Sequence, residues 1–567
     1  MEKLTVRLRW ALAALAVAGC APAEPPDPAD LIVVNARVFT PDSSPADAVA
    51  IRGNRIALVG GRKEVEALAG KATRRIDAGG ASLTPGFNDA HVHFLEGSLS
   101  LGQVDLLDAE TLPEIEKKIR TFAAANPSAP WVLGRGWLYG AFPGGLPTRA
   151  QLDLLVPDRP AVMNCYDGHT RWLNSKALAA AGITRNTRDP ADGVIMRDAT
   201  GEPTGVLKEG AQALVDHAIP EPSREAKLTA LRAGIAEAQR FGVTSVLDAG
   251  VGAEELDLFD ALRAAGQLGV RMSIALRAHP KMTEADADQL DSLKARHPGL
   301  SIGAVKFFAD GVIEAHTASM LAPWANAAGT GLPNYQPEDM KRIVTMLDRR
   351  GWQIMIHAIG DRGIRMSLDA IEAAQAANPA PARGRRHRLE HIEDVSADDI
   401  ARFGKLGVIA SMQPFHASPN GNVLNVWAVN VGPERAARAW NWKSIYDAGG
   451  KLAFGTDWPV VGIDPRPGMH TALTRMTAAG APPGGFGPAQ RLPLRQVLET
   501  FTSGSAYAEF AESTKGMIKA GMLADLVIWD RDLFAVPVDR VKDAAVVTTV
   551  FDGKVVYRRE PPAPGSR

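Results

Sequence analysis

The sequence predicts an α/β protein built on a (β/α)8 barrel, with β-rich pieces at both chain ends and one large insertion. Three observations carry this. Eight short strand-like runs alternate with helix-like stretches, the pattern of a parallel barrel. The segments 31–85 and 523–557 are rich in short Val/Ile/Ala runs broken by Gly, Asn and Asp turns. The gap between the first two strand runs, about 98–225, is far too long for a βα loop.

The eight runs are 82–94, 243–250, 270–279, 301–311, 352–361, 386–393, 408–416 and 451–460. Between them, stretches such as REAKLTALRAGIAEAQRFG (224–242) place Ala and Leu at helical spacing. An open doubly wound sheet is the alternative on the same pattern. The two chain ends, 31–85 and 506–560, are expected to share one composite β-sandwich. The barrel is expected over 86–97 and 226–505, with 98–225 as an inserted subdomain over the active-site face.

The first residues read as a targeting segment. Lys3, Arg7 and Arg9 precede an apolar run from Trp10 to Ala18, then Gly19 and Cys20. That run is far below the roughly 20 residues a bilayer-spanning helix needs. Val17-Ala18-Gly19-Cys20 resembles a bacterial lipobox. The resemblance implies a signal peptide over 1–19, cleavage before Cys20 and lipidation of its thiol. The Pro-rich stretch 20–30 reads as a flexible tether. The expected location is the bacterial cell envelope, as a periplasm-facing lipoprotein or a protein secreted after cleavage.

Composition narrows the chemistry. The chain has 567 residues, 46% of them hydrophobic and 22% charged, ordinary values for a globular protein. Lys+Arg (63) nearly equals Asp+Glu (64), with no basic block, which argues against a nucleic-acid partner. Two cysteines exclude a disulfide framework and a cysteine zinc site. A metal would need His, Asp, Glu or a modified side chain, and 12 histidines are available.

Polar residues gather where the strand runs end. His91 and His93 form an His-x-His, and residues two apart in a strand point to one side. His357 ends the fifth run, His391 the sixth, and Asp457 lies at the end of the eighth. Lys306 sits among Ala304, Val305, Phe307 and Phe308, where an unpaired charge is costly. Each alone has a structural explanation: a hydrogen-bonded core histidine, a snorkelling lysine, a strand-end acid. Together they mark the C-terminal face on which barrel enzymes build their sites.

These residues carry a family resemblance. Asp89-Ala90-His91-Val92-His93, Val305-Lys306-Phe307-Phe308-Ala309-Asp310-Gly311, His357-Ala358-Ile359-Gly360-Asp361, Arg388-Leu389-Glu390-His391 and Gly455-Thr456-Asp457-Trp458-Pro459-Val460 resemble the amidohydrolase superfamily. More narrowly they resemble the YtcJ-like group (amidohydrolase family 3), which includes N-substituted formamide deformylase. Asp167-Gly168-His169-Thr170-Arg171-Trp172, Pro203-Thr204-Gly205-Val206-Leu207 and the tail 516–527 also match. The resemblance covers about 31–557. It implies a (β/α)8 TIM-barrel metal-dependent hydrolase with a composite β-sandwich.

By the resemblance, His91 and His93 bind one ion, His357 and His391 a second, and Lys306 bridges them after carboxylation by CO2. A free ammonium has donors and no lone pair, so only the carboxylated form can ligate. Zinc suits imidazole and carboxylate-type ligands, as one or two ions, and manganese and iron suit the same set. Asp457 is expected as a ligand and as the proton acceptor and donor of catalysis. His169, Trp172, Asp310, Gln413 and His416 are expected substrate contacts, with His416 or Asp310 alternatively supporting the ligands.

The expected reaction is hydrolysis of an amide, N-substituted formamide or cyclic amide. The same chemistry would serve esters, lactones, phosphoesters or deamination. A non-catalytic ligand-binding lipoprotein is the third reading. Expected partners are a small-molecule substrate, the membrane through the lipid alone, and a second copy of the chain as a homodimer. Two departures from the family pattern bear on specificity. Glu314 and His316 stand where Gly and Arg are expected, and Ile392-Glu393 where Ala-Gln is usual.

Overall fold

The computed structural model describes residues 27–166, 168–190 and 193–560. The expected signal peptide, Cys20 and tether residues 20–26 lie outside them. Eight parallel strands form one sheet: β1 (Phe87–Val92), β2 (Val243–Val251), β3 (Arg271–Arg277), β4 (Ser301–Phe308), β5 (Gln353–Ala358), β6 (Arg388–His391), β7 (Ile409–Met412) and β8 (Lys451–Phe454). Each pairs with its neighbour in chain order, and each falls inside one of the eight runs expected from the sequence except β2, which extends one residue further to Val251.

The seam between β8 and β1 is closed by residues just beyond the strands. Asp457 N–H donates to the His91 carbonyl (2.7 Å), and His93 N–H donates to the Trp458 carbonyl (2.6 Å). Asp89 accepts from the Thr456 amide (2.9 Å) and hydroxyl (2.6 Å). Gly455 is required here, because a Cβ would stand 2.6 Å from both Asp89 Oδ1 and His91 N. The barrel therefore closes through the segments that carry His91, His93 and Asp457.

Alternation along the strands divides the interior from the outer layer. On β4, Val305 and Phe307 join the large cluster shared with the surrounding helices. Ala304 joins an inner cluster with Leu247, Ala275 and Met355, so Lys306, two residues on, points inward. The helix Pro337–Arg349 shows how the outer layer forms. Pro337 starts it, Glu338 and Asp339 suit its positive end, and Met340, Ile343, Val344 and Leu347 bury one face. Each such side chain contributes roughly 1.5–3 kcal/mol by leaving water.

Residues between β1 and β2 carry a separate six-stranded sheet. Its strand order is Gly193–Arg197, Pro203–Glu209, Thr170–Leu173, Ala161–Cys165, Val132–Trp137, Val104–Asp105. Its helix Leu112–Ala125 opens with a reciprocal cap between Thr111 and Glu114.

Both chain ends meet in a five-stranded sheet: Arg37–Val38, Ser82–Pro85, Leu526–Trp529, Val546–Phe551 and Lys554–Arg558. A second sheet of four N-terminal strands packs on it through Leu31, Val49, Ile51, Leu526, Ile528 and Val550. One boundary differs from the expected tether. Ala29 and Asp30 already belong to the strand Ala29–Val34, because Ala29 is buried and paired with Ala69. Among the described residues, no helix is long and apolar enough to cross a membrane.

Candidate metal centre

Six expected ligands converge on the mouth of the barrel. His91, His391 and Asp457 are buried, and one ligand atom from each lies within 4.8 Å of the others. His91 Nε2 stands 3.0 Å from Lys306 Nζ and 3.6 Å from Asp457 Oδ1. His93 Nε2 is 3.4 Å from the same Asp457 oxygen. The His357 and His391 rings are 4.5 Å apart, and the His91 and His391 rings 5.0 Å.

Backbone conformation explains how the last two groups arrive. On β6, Arg388 and Glu390 point inward and Leu389 points into the outer layer. Strict alternation would send His391 outward with Leu389. Instead φ is +72° at His391 and +50° at Ile392, which breaks the alternation and turns the imidazole into the mouth. Asp457 is likewise held at φ +64°. Non-glycine residues in this region store strain, and such strain clusters at functional sites.

Partners on the far side of two of the rings fix their tautomers. His91 Nδ1 donates to Glu390 Oε2 (2.7 Å), leaving the Nε2 lone pair facing the centre. Glu390 is in turn held by Arg388 Nε (2.6 Å). Burial opposes the charge on Glu390, but the Arg388 guanidinium brings its pKa down to about 2. Arg388 also donates to the Ala90 carbonyl (2.7 Å) and to Ser411. His357 Nε2 donates to the Gly311 carbonyl (3.1 Å), so its Nδ1 keeps a lone pair. Burial pushes His91 down to about 4, His357 to about 3 and His391 well below the imidazole range. All three are neutral near pH 7, the state in which imidazole can ligate. Burial also lowers Lys306 to about 8. Burial opposes the charge of Asp457, yet its imidazole neighbours hold it well below the usual carboxylate range.

The donor set fits a metal ion. His391 Nδ1, Asp457 Oδ1 and His416 Nε2 are buried and have no hydrogen-bond partner among the described residues. Buried polar atoms are rarely left so. His416 stacks parallel to His391 (6.1 Å, 5°), with its Nε2 4.0 Å from Asp457 Oδ2.

A cavity of about 1300 Å3 opens over the centre. His93, Lys306, His357, His391 and Asp457 line it, as do His169 and His416. His169 comes from the insertion and pairs with Glu209 (2.9 Å). Glu314, Glu393 and Asn422 line another part of the wall. Burial, and then the charge of Glu314, hold the Glu393 carboxyl well above its usual range.

Of the other expected substrate contacts, Trp172 and Gln413 lie outside the cavity lining and Asp310 lies within it. Trp172 is fully buried in the insertion, its indole donating to the Thr148 carbonyl (2.7 Å) and packing edge-on against Phe142. Asp310 reaches the cavity wall, but both its oxygens are committed. They accept from the backbone amides of Ser319 (2.8 Å), Ile359 (3.1 Å) and Gly360 (2.9 Å), tying the connection after β4 to the end of β5. Gln413 is buried outside the cavity lining, with neither amide atom partnered. Sequence reasoning missed Glu390 and Arg388 as the groups that orient His91. Their signal was two charged residues, two apart, on a barrel strand.

Residues 74–557 match the amidohydrolase family. YtcJ of Bacillus subtilis (strain 168), named as an amidohydrolase, is 30% identical over 86% of this chain and 91% of its own length. N-substituted formamide deformylase of Arthrobacter pascens is 28% identical over 94% of this chain and 98% of its own. The crystal structure of an uncharacterized metal-dependent hydrolase from Pyrococcus horikoshii OT3 superposes with a TM-score of 0.70 at 24% identity. It covers 90% of this chain and 99% of that one, and shares the fold. The chain belongs to the amidohydrolase family.

Proposed function

We propose that this amidohydrolase-family chain hydrolyses the C–N bond of a small amide, with an N-substituted formamide as the leading substrate class. The observation that carries the reading is the set of buried ligand atoms at the barrel mouth: His91, His391 and Asp457 within 4.8 Å, with Asp457 Oδ1 and His391 Nδ1 unpartnered among the described residues. His91, His93, His357, His391 and Asp457 would hold the metal, zinc being the best match to imidazole and carboxylate ligands. When bound, the metal supplies Lewis acidity, polarising a carbonyl and acidifying water.

The chain's own groups supply the rest. Lys306 Nζ, lowered to about 8 by burial, presents a neutral amine to CO2 more readily than an exposed lysine does. The N–C bond forms, one proton leaves, and the resulting carbamate anion would give Lys306 an oxygen donor with which to help hold the metal. Asp457, ionised at neutral pH, accepts the proton of the attacking water and returns it to the departing nitrogen. His169 and His416 border the space in which the substrate lies. The similarity to the formamide deformylase supports this substrate class.

Formamides, acyl amides, lactams, esters, lactones, phosphoesters and aminopurines offered to the metal-loaded enzyme separate the alternatives. The expected result is fastest turnover of a C–N substrate, with release of carboxylate or formate. Turnover confined to esters or phosphoesters contradicts it. The proposal keeps the lipid anchor on Cys20 and a cell-envelope location. A Cys20→Ser protein that remains membrane-bound contradicts that part. The homodimer is tested by sedimentation equilibrium, where a monomer over all concentrations contradicts it.

A further inference from the structure

Two departures from the family pattern meet the same cavity. Glu314 lies in the connection after β4 and Glu393 just past β6, and both line the wall. Glu314 Oε1 accepts from the Tyr166 hydroxyl (2.6 Å) and from Asn422 Nδ2 (3.1 Å). Glu393 is 6% exposed, and its Oε2 accepts from the Trp427 indole (2.7 Å). Trp427 is itself fixed by stacking on Trp440 (4.5 Å). Two carboxyl groups on one cavity wall give an arriving cation a set of acceptor oxygens.

A second observation comes from Asn422. It is 5% exposed and lines the same cavity. Its amide nitrogen is committed to Tyr166 (2.5 Å) and Glu314. Its Oδ1 accepts nothing among the described residues. An acceptor buried without a donor calls for a ligand that brings one. The wall thus offers acceptors from three segments: the connection after β4, the turn after β6 and the region after β7. A primary ammonium carries three donors and no acceptor, which matches such a set.

We propose that Glu314, Glu393 and Asn422 form a cation-recognising subsite, and that the natural substrate is an amide bearing a protonated primary amine, such as a mono-acylated diamine. This rests on the C–N hydrolysis reading above. Water adds across the C–N bond, releasing a carboxylate and a free diamine. The ammonium holds the distal arm while the carbonyl faces the barrel mouth.

The test uses the metal-loaded full chain and three matched formamides. N-formyl-1,4-diaminobutane carries the ammonium, N-formylpentylamine is its neutral isostere, and N-formyl-5-aminopentanoate is the anionic control. Homologues of the diamine with two to six methylenes locate the best spacing. The wild type is expected to favour the best diamine over its neutral isostere in kcat/KM by about tenfold or more. In Glu314→Gln and Glu393→Gln that ratio falls about tenfold. Equal or better turnover of the neutral compound by the wild type overturns the proposal. A ratio that persists in both variants, or a loss shared equally by charged and neutral substrates, also overturns it. If no formamide of any charge is hydrolysed, the C–N reading fails, and calorimetric binding of N-formyl-1,4-diaminobutane decides the subsite. Binding weakened in both variants supports it, and no binding overturns it. A divalent ion lost from either variant, with no ammonium preference in the wild type, assigns the acidic wall to a metal and overturns the proposal.

Discussion

Two buried His/carboxylate clusters at opposite ends of the barrel differ in saturation. One lies at the N-terminal end of β5 and β6. There Asp348 accepts from Arg385 (2.7 Å and 2.9 Å), His387 Nε2 (2.9 Å) and Asn378 (2.9 Å). His387 Nδ1 in turn accepts the Ile354 amide (3.1 Å). The donors around Asp348 outweigh its burial and hold its carboxyl far below the usual range. The other cluster is the mouth, where Asp457 Oδ1, His391 Nδ1 and His416 Nε2 lack hydrogen-bond partners among the described residues. Residue types and burial are alike in the two. Unmet coordination, with left-handed backbone at His391 and Asp457, is what marks the mouth as a ligand site.

The largest expected effects separate the clusters directly. Asp457→Asn should lower turnover by about 10²–10⁴-fold while the protein stays folded. Asp348→Ala should leave Arg385 and His387 buried without their anion and destabilise the fold by about 3–5 kcal/mol. Chemical denaturation and initial rates on the two variants check both. If Asp457→Asn unfolds the chain and Asp348→Ala does not, the comparison is reversed.

The sequence made the eight strands legible because each is a short apolar run with a helical stretch after it. It also made legible the ligand types at the strand ends, since a charged or imidazole group on an inward strand position is conspicuous. It could not show His391 turning inward, because period-two spacing sends that residue outward and only the left-handed backbone reverses it. Nor could it show that Asp310 is saturated by three amides from distant segments, or that Trp172 packs inside its own sheet. These depend on contacts between elements far apart in the chain.

A middle-sized effect tests the orienting layer. Glu390→Gln removes the charge that fixes the His91 tautomer while leaving the ring in place. Metal affinity is expected to fall about 10–100-fold by competition with a chelator. Unchanged affinity would show that Glu390 is only a structural ion-pair partner of Arg388.

The pH dependence of carboxylation sharpens the role of Lys306. CO2 reacts with the neutral amine, and burial lowers the amine to about 8. After metal and CO2 are stripped, the bicarbonate-dependent rate of reactivation should rise with pH and level off above about 8. A rate still climbing toward the pKa of an exposed lysine, about 10.4, would place the amine in water.

The smallest effect is at Gln413, whose buried amide has no partner among the described residues. Gln413→Met removes two unsatisfied atoms at similar volume and should leave stability unchanged or raise it by about 1 kcal/mol. A loss of more than that would mean the amide makes a bond through water.

Metal content decides the central claim that the unsaturated cluster is a metal centre and the saturated one is not. Elemental mass spectrometry on wild type, His91→Ala, Lys306→Ala and His387→Asn, each confirmed folded by circular dichroism, is the direct measurement. The account predicts roughly one to two ions per chain in the wild type and in His387→Asn, with substantial loss in His91→Ala and Lys306→Ala. A wild type that is fully active without metal, or metal retained unchanged in both mouth variants, would contradict it.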